Sequence, residues 1–212
     1  MRTAVLGLCA ALVAASCGGH PPPPKRRVIE GNVESWVFRR YQRVADIEVW
    51  VPKNQAIAHT ASYVKKDALK RGRLGEQDVV NAFVTEYKTD AGVLRAVVKF
   101  SRRLAQESGY VVEDKKRGGV RVILVEGHGE AWALWSSKKY IVKIGGRGLK
   151  TVPSSMVESY GDRYPSSLSS GILDGPLPPG PDEEPEVQPD DYDPNSPRPD
   201  YKHDEKKKQK KK

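Results

Sequence analysis

Cysteine is scarce in this 212-residue chain: only Cys9 and Cys17 occur, both near the N-terminus. Cys9 sits inside an apolar stretch that reads as a removable signal, so Cys17 is left without a disulfide partner and a disulfide framework is excluded. Long apolar runs are scarce too. Beyond the N-terminus, none approaches the roughly 20 residues that span a bilayer as a helix. Several catalytic motifs are missing as well. The chain lacks a GxGxxG phosphate cradle, a Gly-x-Ser-x-Gly nucleophile elbow and the Pro-Cys-x-x-Cys half of the zinc-deaminase signature. There is no internal repeat. Charge, by contrast, is plentiful: 36 Lys and Arg oppose 27 Asp and Glu, a net +9. With 30% charged and 38% hydrophobic residues, the composition fits one soluble globular domain with polar tails.

The N-terminus opens with Arg2 and a short apolar run over residues 3–15, the pattern of a signal-peptide core. Ala14, Ala15 and Ser16 supply the small residues of a cleavage point and run directly into Cys17. This "VAASC" junction resembles the lipobox of bacterial lipoproteins, with Ala14 standing where that family more often has leucine. The resemblance covers about the first 20 residues. It implies removal of residues 1–16 and lipidation of Cys17 as the first residue of the mature chain. The partner it implies is a membrane, held through the lipid anchor, since two or more acyl chains anchor stably. Gly18, next after the cysteine, implies the outer membrane of a bacterial envelope, with the protein facing the periplasm. Residues 17–27 then form a linker whose prolines favour an extended spacer of roughly 30 Å. His20 belongs to that linker.

Residues 28–168 read as one α+β domain. The expected fold is an antiparallel sheet of four to six strands packed against one long amphipathic helix. Alternation predicts strands over 44–51 and 78–87, with a weaker helix over 56–73 between them. Residues 91–108 carry apolar side chains at helical spacing, with Asp90 placed to cap the start and Gly109 the end. The segments "YVVED", "VRVILVEG", "EAWALWSS" and "KKYIVKIGG" predict four consecutive strands in a meander. A short helix starts at Pro153.

Residues 169–212 read as a disordered tail. Residues 172–205 carry eleven acidic against two basic residues together with nine prolines, too little apolar surface to fold. The chain then ends in a lysine block, Lys206, Lys207, Lys208, Lys210, Lys211 and Lys212. The domain itself is basic, with 24 Lys and Arg against 16 Asp and Glu over 28–170. On the long helix Arg95, Lys99, Arg102 and Arg103 form an outer face. These and the terminal lysines are the candidate contacts for a polyanion, and a solvated helix face is the plainer reading. Trp36, Trp50, Trp132 and Trp135 are more often core than stacking platforms, and the last two cannot share one face of a strand.

The sharpest catalytic pattern is "VEGHGEAW". On a regular strand Glu126, His128 and Glu130 would project to one face, suiting acid/base or metal chemistry, while a polar hairpin turn is the alternative. No motif implies a metal, a cofactor, a specific nucleic acid or a small-molecule ligand. The expectation is a non-enzymatic, membrane-anchored envelope lipoprotein touching an anionic polymer or a protein partner. The alternative is a small periplasmic hydrolase or metal-dependent enzyme centred on Glu126, His128 and Glu130.

Overall fold

Eight residues of strand and two of turn, repeated, build the C-terminal half of the sheet. β4 (Tyr110–Arg117), β5 (Val120–Gly127), β6 (Glu130–Ser137) and β7 (Tyr140–Arg147) pair in sequence as antiparallel hairpins. Gly118 and Gly119 take φ of 52° and 76°, and His128 and Gly129 take 47° and 74°, the left-handed pairs that a type I′ turn requires. The structure, a computed structural model, describes residues 19–44 and 47–180. Cys17 and the terminal lysine block lie outside the described residues, as does most of the acidic tail.

Three further strands, β1 (Trp36–Val44), β2 (Ala56–Lys65) and β3 (Val79–Tyr87), extend the sheet on the other side of β7. The order is β1-β2-β3-β7-β6-β5-β4. Among the described residues the α-helices are α1 (Lys66–Arg71), α2 (Val93–Gln106) and α3 (Ser154–Arg163), with a short 3-10 turn over Glu76–Asp78. α2 carries the chain from β3 to the far edge strand β4, and the meander then returns β7 to pair with β3.

The expected four to six strands on one long helix are therefore wrong: among the described residues the sheet has seven strands and the longest helix has 14 residues. Two local misreadings account for this. Residues 56–65 form β2 where a helix was expected, because their small residues imitate helical spacing until the ladder to β1 and β3 is seen. The strand expected at 44–51 is displaced to 36–44. Val49 and Val51 are buried while Glu48 and Trp50 are exposed, so the alternation reports a segment lying on the core without joining a ladder. In β1 a register shift between Phe38 and Arg40 breaks the period of two that would have announced it.

The capping expectations also change. Gly92, at φ 74°, occupies the N-cap of α2 without any contribution from the Asp90 side chain, and Glu107 rather than Gly109 ends the helix.

The two longer helices cover opposite faces of the sheet. On one face α3 packs over Val122, Leu124, Ala133, Trp135, Val142 and Ile144, all buried. It approaches so closely that a Cβ at Gly161 would lie 2.1 Å from Val120 Cγ2. On the other face α2 buries Val93, Val97 and Val98 above Ile123, Val125 and Leu134. Each such aliphatic side chain contributes about 1.5–3 kcal/mol by leaving water. Packing continues past residue 168, with Ile172 buried in the core cluster and the chain described to residue 180.

Candidate functional site

The Glu126, His128 and Glu130 pattern resolves into a hairpin turn. Glu126 pairs with Ala131 and Glu130 with Gly127, so the two carboxylates occupy different strands and opposite faces of the sheet. The physical reason is the turn at His128 and Gly129, which reverses the chain between them. The expectation of one shared face thus fails. His128 instead has Nε2 3.0 Å from the Ser108 carbonyl and its ring edge-on to Tyr110 at 4.7 Å. It clasps the turn to the α2–β4 connection. Among the described residues, no three His, Cys, Asp or Glu side chains are grouped to hold a metal.

Glu130 does join other functional side chains on the α2 face. Glu48, Phe100, Leu104, Tyr110, Glu130, Trp132 and Lys143 line a cavity of about 60 Å³. Tyr110 donates its hydroxyl to Glu130 Oε1 at 3.1 Å, and that bond raises the phenol pKa. Lys143 Nζ lies 2.6 Å from Glu48 Oε1 and 4.1 Å above the Trp132 ring centroid, a cation–π contact closed by an ion pair. Phe83 packs against the same indole at 5.9 Å. Trp132 Nε1 is buried with no hydrogen-bond partner. The cavity has room for a few waters, against the ~300–1,000 Å³ of an ordinary ligand pocket.

The tryptophans separate as their spacing requires. Trp135 is fully buried on the α3 face and donates Nε1 to the Tyr164 carbonyl at 2.8 Å, while Trp132 is half-buried on the α2 face. Trp36 is buried and Trp50 is 72% exposed.

Two of the four basic residues of α2, Arg95 and Arg102, are drawn into the fold. Arg95 donates Nη1 to the Pro178 carbonyl at 3.1 Å. Arg102 donates Nη2 to the carbonyls of Ile172 (3.0 Å) and Gly175. Asp114 holds the same segment from the other side, accepting from the Gly171 and Ile172 amides at 2.6 and 3.2 Å while its other oxygen pairs with Arg121 at 2.6 Å. Arg103 lies over the Phe100 ring at 5.7 Å, and Lys99 is exposed. Arg95, Arg102 and Asp114 thus fasten residues 171–178 to the domain.

A second set of cations went unnoticed in the sequence. Arg39, Arg40 and Arg43 are exposed on the edge strand β1, and Lys65, Lys66, Lys70, Arg71 and Arg73 are exposed on and around α1. The string "RRYQR" was the available signal. Charged residues on an edge strand also block pairing with other chains, so their presence there has a structural role as well.

Beneath α3 lies a network of tyrosines. Tyr63 and Tyr160 share a hydroxyl contact of 2.7 Å, Tyr63 donates to the Ile29 carbonyl, and the Ile29 amide donates to Tyr160. Burial pushes Tyr63 up to about 12 and Tyr160 well above the usual phenol range. Beside them Arg27 forks onto Glu86 at 2.6 and 3.1 Å, and Lys139 pairs with the same carboxylate at 2.8 Å. Burial alone would raise Glu86, but the hydrogen bonds from Arg27 and Lys139 outweigh it and hold the carboxyl at about 2. The neighbouring His59 is lowered, by burial first and then by the Arg27 charge.

No family model, no curated protein and no solved structure matches this chain.

Proposed function

We propose that this chain is a lipid-anchored bacterial envelope protein that works by contact rather than catalysis. It is tethered through acylated Cys17 to the outer membrane and faces the periplasm. The observation that carries this reading is the "VAASC" junction at the end of a short apolar signal. Its contact partner is an anionic envelope polymer or an envelope protein with an acidic surface. The +8 charge over residues 28–170, the exposed β1 and α1 cations and the terminal lysine block support that partner chemistry. We favour the contact reading over a hydrolase or metal-dependent enzyme centred on Glu126, His128 and Glu130, because Glu126 and Glu130 lie on opposite faces of the sheet.

Replacing Cys17 with Ser tests the anchor. The variant should move from the membrane to the soluble fraction and lose labelling by a fatty-acid probe. A soluble, unlabelled wild-type protein would overturn the reading. Deleting residues 206–212 tests the contact: retention on isolated envelopes should fall at low salt, where counterion release favours binding, and the melting temperature should not move. Retention unchanged by that deletion would remove the lysine block from the interface.

A further inference from the structure

We propose that one pole of the sheet, where β1 and β3 end and β7 begins, rests on the anionic phospholipid headgroups of the membrane that holds Cys17. This inference rests on the lipid-anchor reading above and adds an orientation and a contact surface to it.

Reach is the first argument. Read from the sequence, residues 17–27 are a spacer of roughly 30 Å, but in the fold the chain is docked well before residue 27. Arg163 at the end of α3 donates Nη1 to the Pro22 carbonyl at 3.3 Å, and Tyr164 donates its hydroxyl to the Arg27 carbonyl at 2.7 Å. Five residues of chain carry Cys17 to Pro22, a span of at most about 17 Å when fully extended. The strands of the meander are eight residues long, about 27 Å from pole to pole. Arg27 is locked to Glu86 at the end of β3, beside Tyr140 at the start of β7, so the tether enters at that pole. The opposite pole, with the His128 turn, lies beyond its reach.

Charge is the second argument. Lys25, Arg26, Arg43 and Lys138 are exposed at the tethered pole, and Arg26 sits over the Tyr41 ring of β1 at 5.1 Å. Of the carboxylates there, Glu30 pairs with Arg26 at 2.9 Å and Glu86 with Arg27 and Lys139, while exposed Asp90, just past β3, is outnumbered by exposed Lys53 and Lys88. The pole therefore presents excess positive charge where the lipid anchor brings it down. Each Lys or Arg held near an anionic leaflet strengthens partition about fivefold, within a Debye length of the surface.

The test couples the thiol of Cys17, in the chain from residue 17 onward, to a maleimide-headgroup lipid in vesicles. Anchoring then no longer depends on cellular acylation, so failure of the orientation and failure of the lipoprotein reading are seen separately. Amide hydrogen exchange is compared on phosphatidylglycerol-rich and pure phosphatidylcholine vesicles. The expected result is exchange slowed several-fold at residues 136–141 and 41–44 on the anionic vesicles, unchanged at 126–131, with the slowing abolished by 0.5 M salt, at which the Debye length is only ~4 Å. The triple variant Lys25→Glu, Arg43→Glu, Lys138→Glu, with an unchanged melting temperature, should lose the difference between the two lipids. Equal slowing at both poles, slowing at 126–131 alone, or no difference between the lipids in the wild-type chain would overturn the proposal.

Discussion

The two faces of the sheet are held in different ways. Against α3, large polar side chains are buried with partners: Tyr63, Tyr160, Tyr164 and Trp135 all spend their hydroxyl or N–H on another residue. Against α2, Trp132 Nε1, Ser136 Oγ and Arg102 Nε are buried without one. An unpartnered buried polar atom costs about 1–3 kcal/mol, so the α3 face is the better-satisfied half of the fold. What is stitched on that face is the N-terminal segment, through the Ile29 and Arg27 backbones. The α2 face instead carries the cavity, the Lys143–Glu48 pair and the segment at 171–178. One side of the sheet secures the domain and its N-terminal segment, and the other tolerates unfinished polar groups.

The largest expected effect sharpens this contrast. Trp135→Ala removes a fully buried indole and strands the Tyr164 carbonyl, and should cost about 3–5 kcal/mol in denaturant unfolding. A loss near 1 kcal/mol would show that the α3 face is not the stabilising one. The next effect is a pH dependence. Glu86 is held at about 2 against an ordinary 4.5, so its contribution is fully present above pH 4.5 and is lost as pH falls toward 2. Melting temperature should fall over that window, and Glu86→Gln should flatten the fall while lowering stability at neutral pH by about 1 kcal/mol, since Arg27 and Lys139 keep partial solvent access. A wild-type profile that stays level from pH 4.5 to 2 would contradict the assignment. The smallest effect is on the other face: Trp132→Phe deletes an unpartnered N–H but weakens the cation–π contact with Lys143, opposing changes that should leave stability within about 1 kcal/mol. A loss as large as that of Trp135→Ala would erase the difference between the faces.

How much of this was legible in the chain depends on the region. The meander β4–β7 could be read directly, because short runs rich in β-branched and aromatic residues are separated by turn signals such as Gly118-Gly119. β1 could not, since an edge strand needs few apolar residues and its register shift breaks the alternation. β2 carries Ala58, Thr60 and Ser62 on one face, side chains too small to outline a strand. The candidate site fared similarly. The residues of "EGHGE" were conspicuous, but their arrangement turned on whether two residues in the middle were strand or turn. Arg95 and Arg102 read as a solvent face because Ile172, Leu173 and Leu177 lie in a Pro- and Gly-containing stretch with neither strand nor helix periodicity to place it against α2.

By itself the sequence determined the basic charge, the hairpins of β4–β7 and the existence of α2 and α3. These depend on composition or on turn and periodicity rules that act within about ten residues. Only the tertiary structure decided that β7 returns to pair with β3, that Glu126 and Glu130 face apart, and that Pro22 and Arg27 are fastened beneath α3. Each of those contacts joins segments far apart in the chain, and it is stabilised by burial and by hydrogen bonds that exist only once both partners are in place.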